Sequence, residues 1–249
     1  MIDFHSHVLP SIDDGAKDAE EAKGMLEAAK EQGVTTVLLT PHYYGQRRSP
    51  KQFLELRQKA YEEIRAIAPE GISLVQGAEV HFAEDGVVSF ADICSLAIEN
   101  TKSVLIEFPF LAAWTKDPLE RIREFVAETG YTPILAHVER YHAFQKNPQR
   151  MTDFVEAGCL LQVNTEAFLG KETKNFAFAM LKKGLVHCLG TDMHGVSDRK
   201  CDYALAKEAI EAEDAFAFEC VQSIMEAVLH GETVQPEVGK MKRFMGKYY

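Results

Sequence analysis

The chain has 249 residues, 27 of them basic and 38 acidic, for a formal charge of −11 at pH 7. That length suits a single domain spanning 1–249, and the acidic balance argues against a broad nucleic-acid or anionic-membrane surface while leaving room for a local phosphate site. No apolar run approaches a bilayer-spanning length and no basic-then-apolar leader opens the chain, so a cytoplasmic protein without membrane insertion is expected. Five cysteines, Cys94, Cys159, Cys188, Cys201 and Cys220, form no CxxC pair, which indicates neither a disulfide framework nor a thiolate zinc site.

The first segment, Met1 to Pro10, alternates as a strand does, placing His5 and His7 on one side where both can grip a metal ion; Asp13-Asp14-Gly15 follows. Asp18 to Gln32 carries Ala22, Met25, Leu26 and Ala29 at helical spacing, with Gly33 as the stop. Val34 to Thr40 is a β-branched strand ending at Pro41-His42, and after the loop YYGQRRSP a helix is expected from about Pro50 to Ala68. Ile72 to Val80 is the third strand, carrying Glu79. A short acidic, glycine-containing loop leads to a helix over roughly Ser89 to Glu99.

Ser103 to Phe108 is the fourth strand, carrying Glu107 and stopped by Pro109; a helix from about Pro118 to Thr129 leads to the fifth, Thr132 to His137. Pro148 to Ala157 reads as a helix capped by Gly158, Cys159 to Asn164 as the sixth strand, Lys171 to Lys183 as a helix and Val186 to Asp192 as the seventh strand. Two helices, about Asp202 to Ala212 and Ala215 to His230, complete the pattern. Strands alternating with helices indicate a parallel sheet, and seven units favour a closed barrel over an open doubly wound sheet.

His5 and His7, His42, Glu79, Glu107, His137, and the pair Asp192 and His194 all fall at or just after the carboxyl end of an expected strand. In a parallel barrel those ends converge on the face where active sites are built. One histidine at a strand end is more often a hydrogen-bonded core or loop residue than a ligand, but six strands doing the same reverses that expectation. His81, His142, His187 and His230 lie off the pattern and read as structural. With Asp14 there are nine candidate ligands, a mixed imidazole and carboxylate set that suits manganese, iron or zinc in a catalytic role.

Nine ligands exceed the need of one ion and suit two or three. Three divalent ions would bring six positive charges against the four carboxylates Asp14, Glu79, Glu107 and Asp192, leaving an electropositive pocket for a phosphate monoester. Clustered ions supply an activated water and clamp the attacking and leaving oxygens. Arg140, three after His137, and Arg199, five after His194, have the planar fork that suits the remaining phosphate oxygens, although position alone equally fits surface salt bridges.

The segments HSHVLPSIDDG, TPH, GAEV, LIEFPF, ILAHVERY and TDMHGVSDR, in this order, resemble the polymerase-and-histidinol-phosphatase superfamily. Within it they are most similar to the bacterial manganese-dependent protein tyrosine phosphatases encoded with capsule and exopolysaccharide genes. The resemblance runs from Met1 to about the final helix. It implies a distorted (β/α)7 TIM-like barrel with His5, His7, Glu79 and Asp192 around one metal, Glu79, Glu107 and His137 around a second, and Asp14, His42 and His194 around a third. It also implies phosphate-binding and catalytic roles for Arg140 and Arg199.

The implied reaction is single-step hydrolysis of phosphotyrosine by metal-activated water, on the tyrosine-rich carboxyl-terminal tail of a bacterial tyrosine kinase that regulates polysaccharide export. Independently, no cysteine is followed by an arginine six positions later, so the cysteine-nucleophile phosphatase loop is absent. Arg47 and Arg48, with Tyr43 and Tyr44 just after His42, offer charge and ring contacts to an acidic phosphotyrosine peptide; an ordinary solvated loop is the competing expectation. Two further readings remain open. One is a small-molecule phosphatase such as one for histidinol phosphate, and the other is an inactive metal-binding scaffold that docks on a kinase, which would require a lost ligand or arginine.

Overall fold

The computed structural model describes residues 1–82, 88–109, 118–244 and 246–249. The acidic loop expected before Ser89 and Phe110 of the LIEFPF segment lie outside the described residues.

Strand β1 (Ile2–Asp3) opens the barrel and α1 (Ala19–Glu31) follows, its first turn capped by the Asp18 side chain accepting from the Glu21 N–H. Its buried residues are Ala22, Met25, Leu26 and Ala29, the stripe that the periodicity anticipates. The second pass across the barrel is two strands, β2 (Thr36–Leu39) and β3 (His42–Tyr43), because Pro41 has no N–H to give to the ladder. Helix α2 (Pro50–Arg65) starts on a Ser49–Gln52 capping box with proline in its first turn. The third pass is likewise split, into β4 (Ser73–Gln76) and β5 (Glu79–His81), around Gly77-Ala78. Gly77 N–H donates to Leu39 O and Glu79 N–H to Pro41 O, so the two interrupted passes stay in register across the break.

Helix α3 (Phe90–Ser95) is shorter than the sequence suggests, and β6 (Ser103–Glu107), α4 (Pro118–Thr129) and β7 (Thr132–Leu135) fall where expected. A short helix α5 (His142–Lys146), which the sequence reading did not anticipate, precedes α6 (Gln149–Glu156), β8 (Leu160–Asn164), α7 (Lys174–Lys182), β9 (Cys188–Gly190), α8 (Tyr203–Glu213) and α9 (Ala217–Leu229). A hairpin of β10 (Arg243–Phe244) and β11 (Lys247–Tyr248), also unanticipated, lays the Tyr248 ring 4.6 Å from Phe176 on α7.

All barrel pairings are parallel: β1–β2–β4 form one sheet and β3–β5–β6–β7–β8–β9 the other. The ring closes between first and last passes, where Phe4 N–H donates to Leu189 O, Asp192 N–H to His5 O and His7 N–H to Met193 O. Gly190 makes that closure possible, since a Cβ there would lie 2.5 Å from the His5 Cβ. The result is a distorted (β/α)7 TIM-like barrel. Its strands are near-continuous apolar runs, Val37–Leu39, Val104–Ile106 and Leu160–Leu161 among them, buried on both faces as a helix-covered parallel sheet requires.

Candidate active site

The nine candidate ligands arrive at one end of the barrel. His5 and His7 follow β1, His42 opens β3, Glu79 opens β5, Glu107 ends β6, His137 follows β7, and Asp192 and His194 follow β9. Asp14 reaches in from the loop after β1. That loop is folded tightly back on His7: Ala16 N–H donates to His7 O, and a Cβ on Gly15 would lie 2.0 Å from that oxygen. Only glycine fits, which explains the Asp-Asp-Gly order.

The structure brings His5, His7 and Asp192 into one group, His7, Asp14, His42 and His194 into a second, and His42, Glu79 and Glu107 into a third. His137 Nε2 stands 2.9 Å from Glu79 Oε1 and 3.6 Å from Glu107 Oε1. Glu79 is the hub, its Oε2 lying 2.8 Å from His42 Nδ1, 3.3 Å from His5 Nε2 and 3.4 Å from His7 Nε2. All are buried except His42, which is half-buried, and Asp14, whose side chain is 68% exposed.

The donor set fits bound cations, and the imidazole orientations carry the point. His7 donates through Nδ1 to Asp13 Oδ2 at 2.7 Å, His5 through Nδ1 to Gln162 Oε1 at 3.1 Å, and His194 through Nδ1 to the Asp192 carbonyl at 2.8 Å. Each ring therefore spends its N–H outward and turns Nε2 inward, so that the Nε2 atoms of His5 and His7 meet at 3.1 Å. His194 Nε2 is buried with no hydrogen-bond partner among the described residues, and Glu79 Oε2 has three imidazole nitrogens within 3.4 Å. Ring nitrogens and carboxylate oxygens crowded this closely at one point are what a divalent ion satisfies.

The electrostatics follow from this crowding. Burial alone would raise the Glu79 and Asp192 carboxyls, but the neighbouring imidazoles, with Arg140 beside Asp192, hold both well below the usual carboxylate range. His5 and His7 are raised despite burial by Glu79 and Asp192, and His7 also by Asp13. His194 goes the other way, down to about 4, through burial and the nearby His7 charge, which keeps its Nε2 lone pair free.

Asp192 joins the cluster of candidate ligands to the arginines. Its Oδ1 faces His7 at 3.3 Å and His5 and His194 at 3.6 Å, while its Oδ2 accepts from Arg140 Nη1 at 2.7 Å, Arg199 Nη2 at 2.6 Å and Asn164 Nδ2 at 2.9 Å. Arg140 also reaches Glu166 Oε1 at 2.9 Å. His137, Asp192 and Arg199 all hold positive φ, at 36°, 53° and 45°, a conformation that side chains other than glycine rarely adopt. Arg47 and Arg48 line a separate pocket that shares Asp14 and His42 with the cluster.

The sequence reading passed over Asp13, Gln162 and Asn164. Gln162 Oε1 accepts from both His5 Nδ1 and His137 N–H, its Nε2 donates to Asn164 Oδ1, and Asn164 donates to Asp192, so two buried amides orient three candidate ligands. The available signal was two polar residues at period two inside the apolar strand CLLQVN. Of the histidines read as structural, His187 accepts the Leu161 N–H at Nδ1 and donates to Gly184 O, whereas His81 lies at the site's rim, 4.0 Å from Glu107 Oε2.

A closed parallel barrel that gathers imidazoles, carboxylates and two guanidinium groups at its carboxyl end is the framework of a metal-dependent hydrolase. The chain belongs to the CpsB/CapC family of capsular polysaccharide synthesis, whose model matches residues 1–225. It is 30% identical over 224 residues to the tyrosine-protein phosphatase YwqE of Bacillus subtilis, covering 86% of this chain and 85% of that one. It is 29% identical over 213 residues to the tyrosine-protein phosphatase CpsB of Streptococcus pneumoniae, covering 80% and 85%. A crystal structure from work on these two proteins, described as unique metal-dependent tyrosine phosphatases, superposes with a TM-score of 0.84 at 26% identity over 98% of this chain and 100% of that one.

Proposed function

We propose that this protein is a manganese-dependent protein-tyrosine phosphatase that acts in the cytoplasm on the phosphorylated carboxyl-terminal tail of a bacterial tyrosine kinase regulating capsule or exopolysaccharide synthesis. The observation that carries the reading is the outward hydrogen bonding of His5, His7 and His194, which leaves their Nε2 atoms facing Glu79, Asp192 and Asp14. In this reading His5, His7, Glu79 and Asp192 hold one ion, Glu79, Glu107 and His137 a second, and Asp14, His42 and His194 a third. Bound divalent ions would activate water and neutralise developing phosphate charge.

The chain's own residues do the rest. Arg140 and Arg199, which bond Asp192 Oδ2 from the rim, carry enough N–H groups to grip phosphate oxygens while Asn164 keeps its bond to that oxygen. Asp14, the exposed member of the cluster, faces the entry side, where it can accept a proton as well as ligate. A cysteine nucleophile is disfavoured on physical grounds: Cys159, Cys188 and Cys201 are buried, and burial pushes the Cys159 and Cys201 thiols up to about 12. Among the described residues no helix is long and apolar enough to cross a membrane.

The test is phosphate release from a phosphotyrosine peptide and from histidinol phosphate, side by side, in chelator-stripped protein with and without manganese. Manganese-dependent turnover that favours the peptide is expected. Preference for histidinol phosphate would keep the barrel and ions but overturn the protein substrate; absent turnover would leave the metal-binding scaffold, and metal-independent turnover would overturn the metal chemistry.

A further inference from the structure

Next to the cluster lies a pocket of about 440 Å³ whose lining includes Asp14, His42, Tyr44, Arg47, Arg48 and Phe53. Its volume is in the range of about 300–1,000 Å³ typical of small-ligand sites. Its composition changes along its length. At the inner end, His42 and Asp14 belong to the metal-ligating cluster. The floor is apolar, with Tyr43 and Phe53 buried edge to face at 5.1 Å between ring centroids. One wall is the half-buried ring of Tyr44, held 5.5 Å from the His42 ring and 5.3 Å from that of His81, with the Arg47 guanidinium 4.7 Å from its centroid. Arg47 is exposed at the outer end, with half-buried Arg48 beside it.

A phosphate monoester held at the cluster has to direct its leaving group somewhere, and this pocket is contiguous with His42 and Asp14. Its walls discriminate. Rings against rings gain contact area and quadrupole complementarity that a short alkyl alcohol lacks. Two guanidinium groups at the outer end, in a chain of net charge −11, are a local inversion of sign that draws a carboxylate.

We infer that this pocket is the leaving-group subsite, that Tyr44 selects an aromatic ring, and that Arg47 and Arg48 anchor an acidic residue flanking the phosphotyrosine. The inference rests on the phosphatase reading above and adds to it the recognition of the ester's organic half.

The experiment measures kcat/KM for phenyl phosphate and for glycerol phosphate in manganese-loaded wild type, Tyr44→Phe, Tyr44→Leu and Tyr44→Ser. A second arm compares phosphotyrosine peptides with acidic and with neutral flanks, in wild type and in Arg47→Gln/Arg48→Gln. The aryl-to-alkyl ratio is expected to fall about three- to tenfold in Tyr44→Ser and Tyr44→Leu and to hold in Tyr44→Phe. The double variant should raise KM selectively for the acidic peptide, with kcat little changed. An unchanged ratio in both Tyr44→Ser and Tyr44→Leu, or an equal fall in Tyr44→Phe, would overturn the ring assignment, and an equal rise in KM for both peptides would overturn the anchor. In either case, wild-type turnover of phosphotyrosine leaves the phosphatase reading standing. Wild-type protein silent on every phosphotyrosine substrate removes that reading and the subsite together.

Discussion

Asp13 Oδ2 accepts two hydrogen bonds at once, from His7 Nδ1 at 2.7 Å and from the His42 backbone N–H at 2.9 Å. One carboxylate oxygen thereby ties the loop after the first strand to two candidate ligands from different strands. It also fixes which nitrogen of His7 faces inward. The His7 charge in turn holds the Asp13 carboxyl well below the usual carboxylate range, against the effect of burial. Neither Asp13 nor its role follows from ligand spacing.

Replacing Asp13 with alanine frees the His7 ring and removes the acceptor for His42 N–H. Metal affinity should drop about 10- to 100-fold, the usual scale for losing such an orienting partner. Chelator competition against manganese measures it directly; an affinity equal to wild type would show that His7 needs no such support.

Gln162 is buried, and its one oxygen serves both His5 Nδ1 and His137 N–H. Gln162→Leu keeps the volume but strands two donors in the core, at about 1–3 kcal/mol for each group left unsatisfied. Denaturant unfolding of chelator-stripped protein should report a loss of roughly 2 kcal/mol or more. A loss under about 0.5 kcal/mol, the scale of ordinary surface substitutions, would mean that another acceptor takes over.

Arg140→Ala leaves Asp192 Oδ2 bonded to Arg199 and Asn164, so the cluster keeps its shape. The expected loss is in kcat, about 10²- to 10³-fold as for removal of other transition-state donors, with metal content unchanged. Arg140→Lys should not restore it, since an ammonium cannot span Asp192 and Glu166 as the planar fork does. Wild-type kcat in either variant would return Arg140 to a salt-bridge role.

Much of this site was legible because barrel geometry makes strand ends converge: His5, His7, His42, Glu79, Glu107, His137, Asp192 and His194 could be placed from strand positions alone. What stayed hidden is non-local. That Gln162 on β8 reaches both His5 and His137 depends on the barrel's closing register, which no window of sequence contains. The break at Gly77-Ala78 was masked by apolar continuity on either side, and the resumption of the second pass at His42–Tyr43 reads as loop because two residues carry no pattern. The terminal hairpin was missed because two-residue strands carry too little pattern to detect.

His187 gives a pH signature away from the candidate ligands. Burial lowers it to about 4, below the ordinary value of 6.5, so the unfolded chain takes up a proton that the native state refuses. Between those two values stability falls as pH falls, by about 2 kcal/mol from pH 7 to pH 5 for this one group. His187→Gln should flatten that slope while lowering stability at neutral pH through its altered bonds to Leu161 and Gly184. Parallel slopes in the two proteins, read from denaturation midpoints, would locate the acid sensitivity elsewhere.

The left-handed backbone at His137, Asp192 and Arg199 sets stability and chemistry against each other within single residues. Glycine at any of the three would relax the main chain and, in the proposed site, remove a ligand or a phosphate-binding arginine in the same step. Directed evolution that rewards heat survival alone would therefore drift toward inactive barrels at these positions, and a thermostable variant that still works has to draw its gains from other parts of the fold.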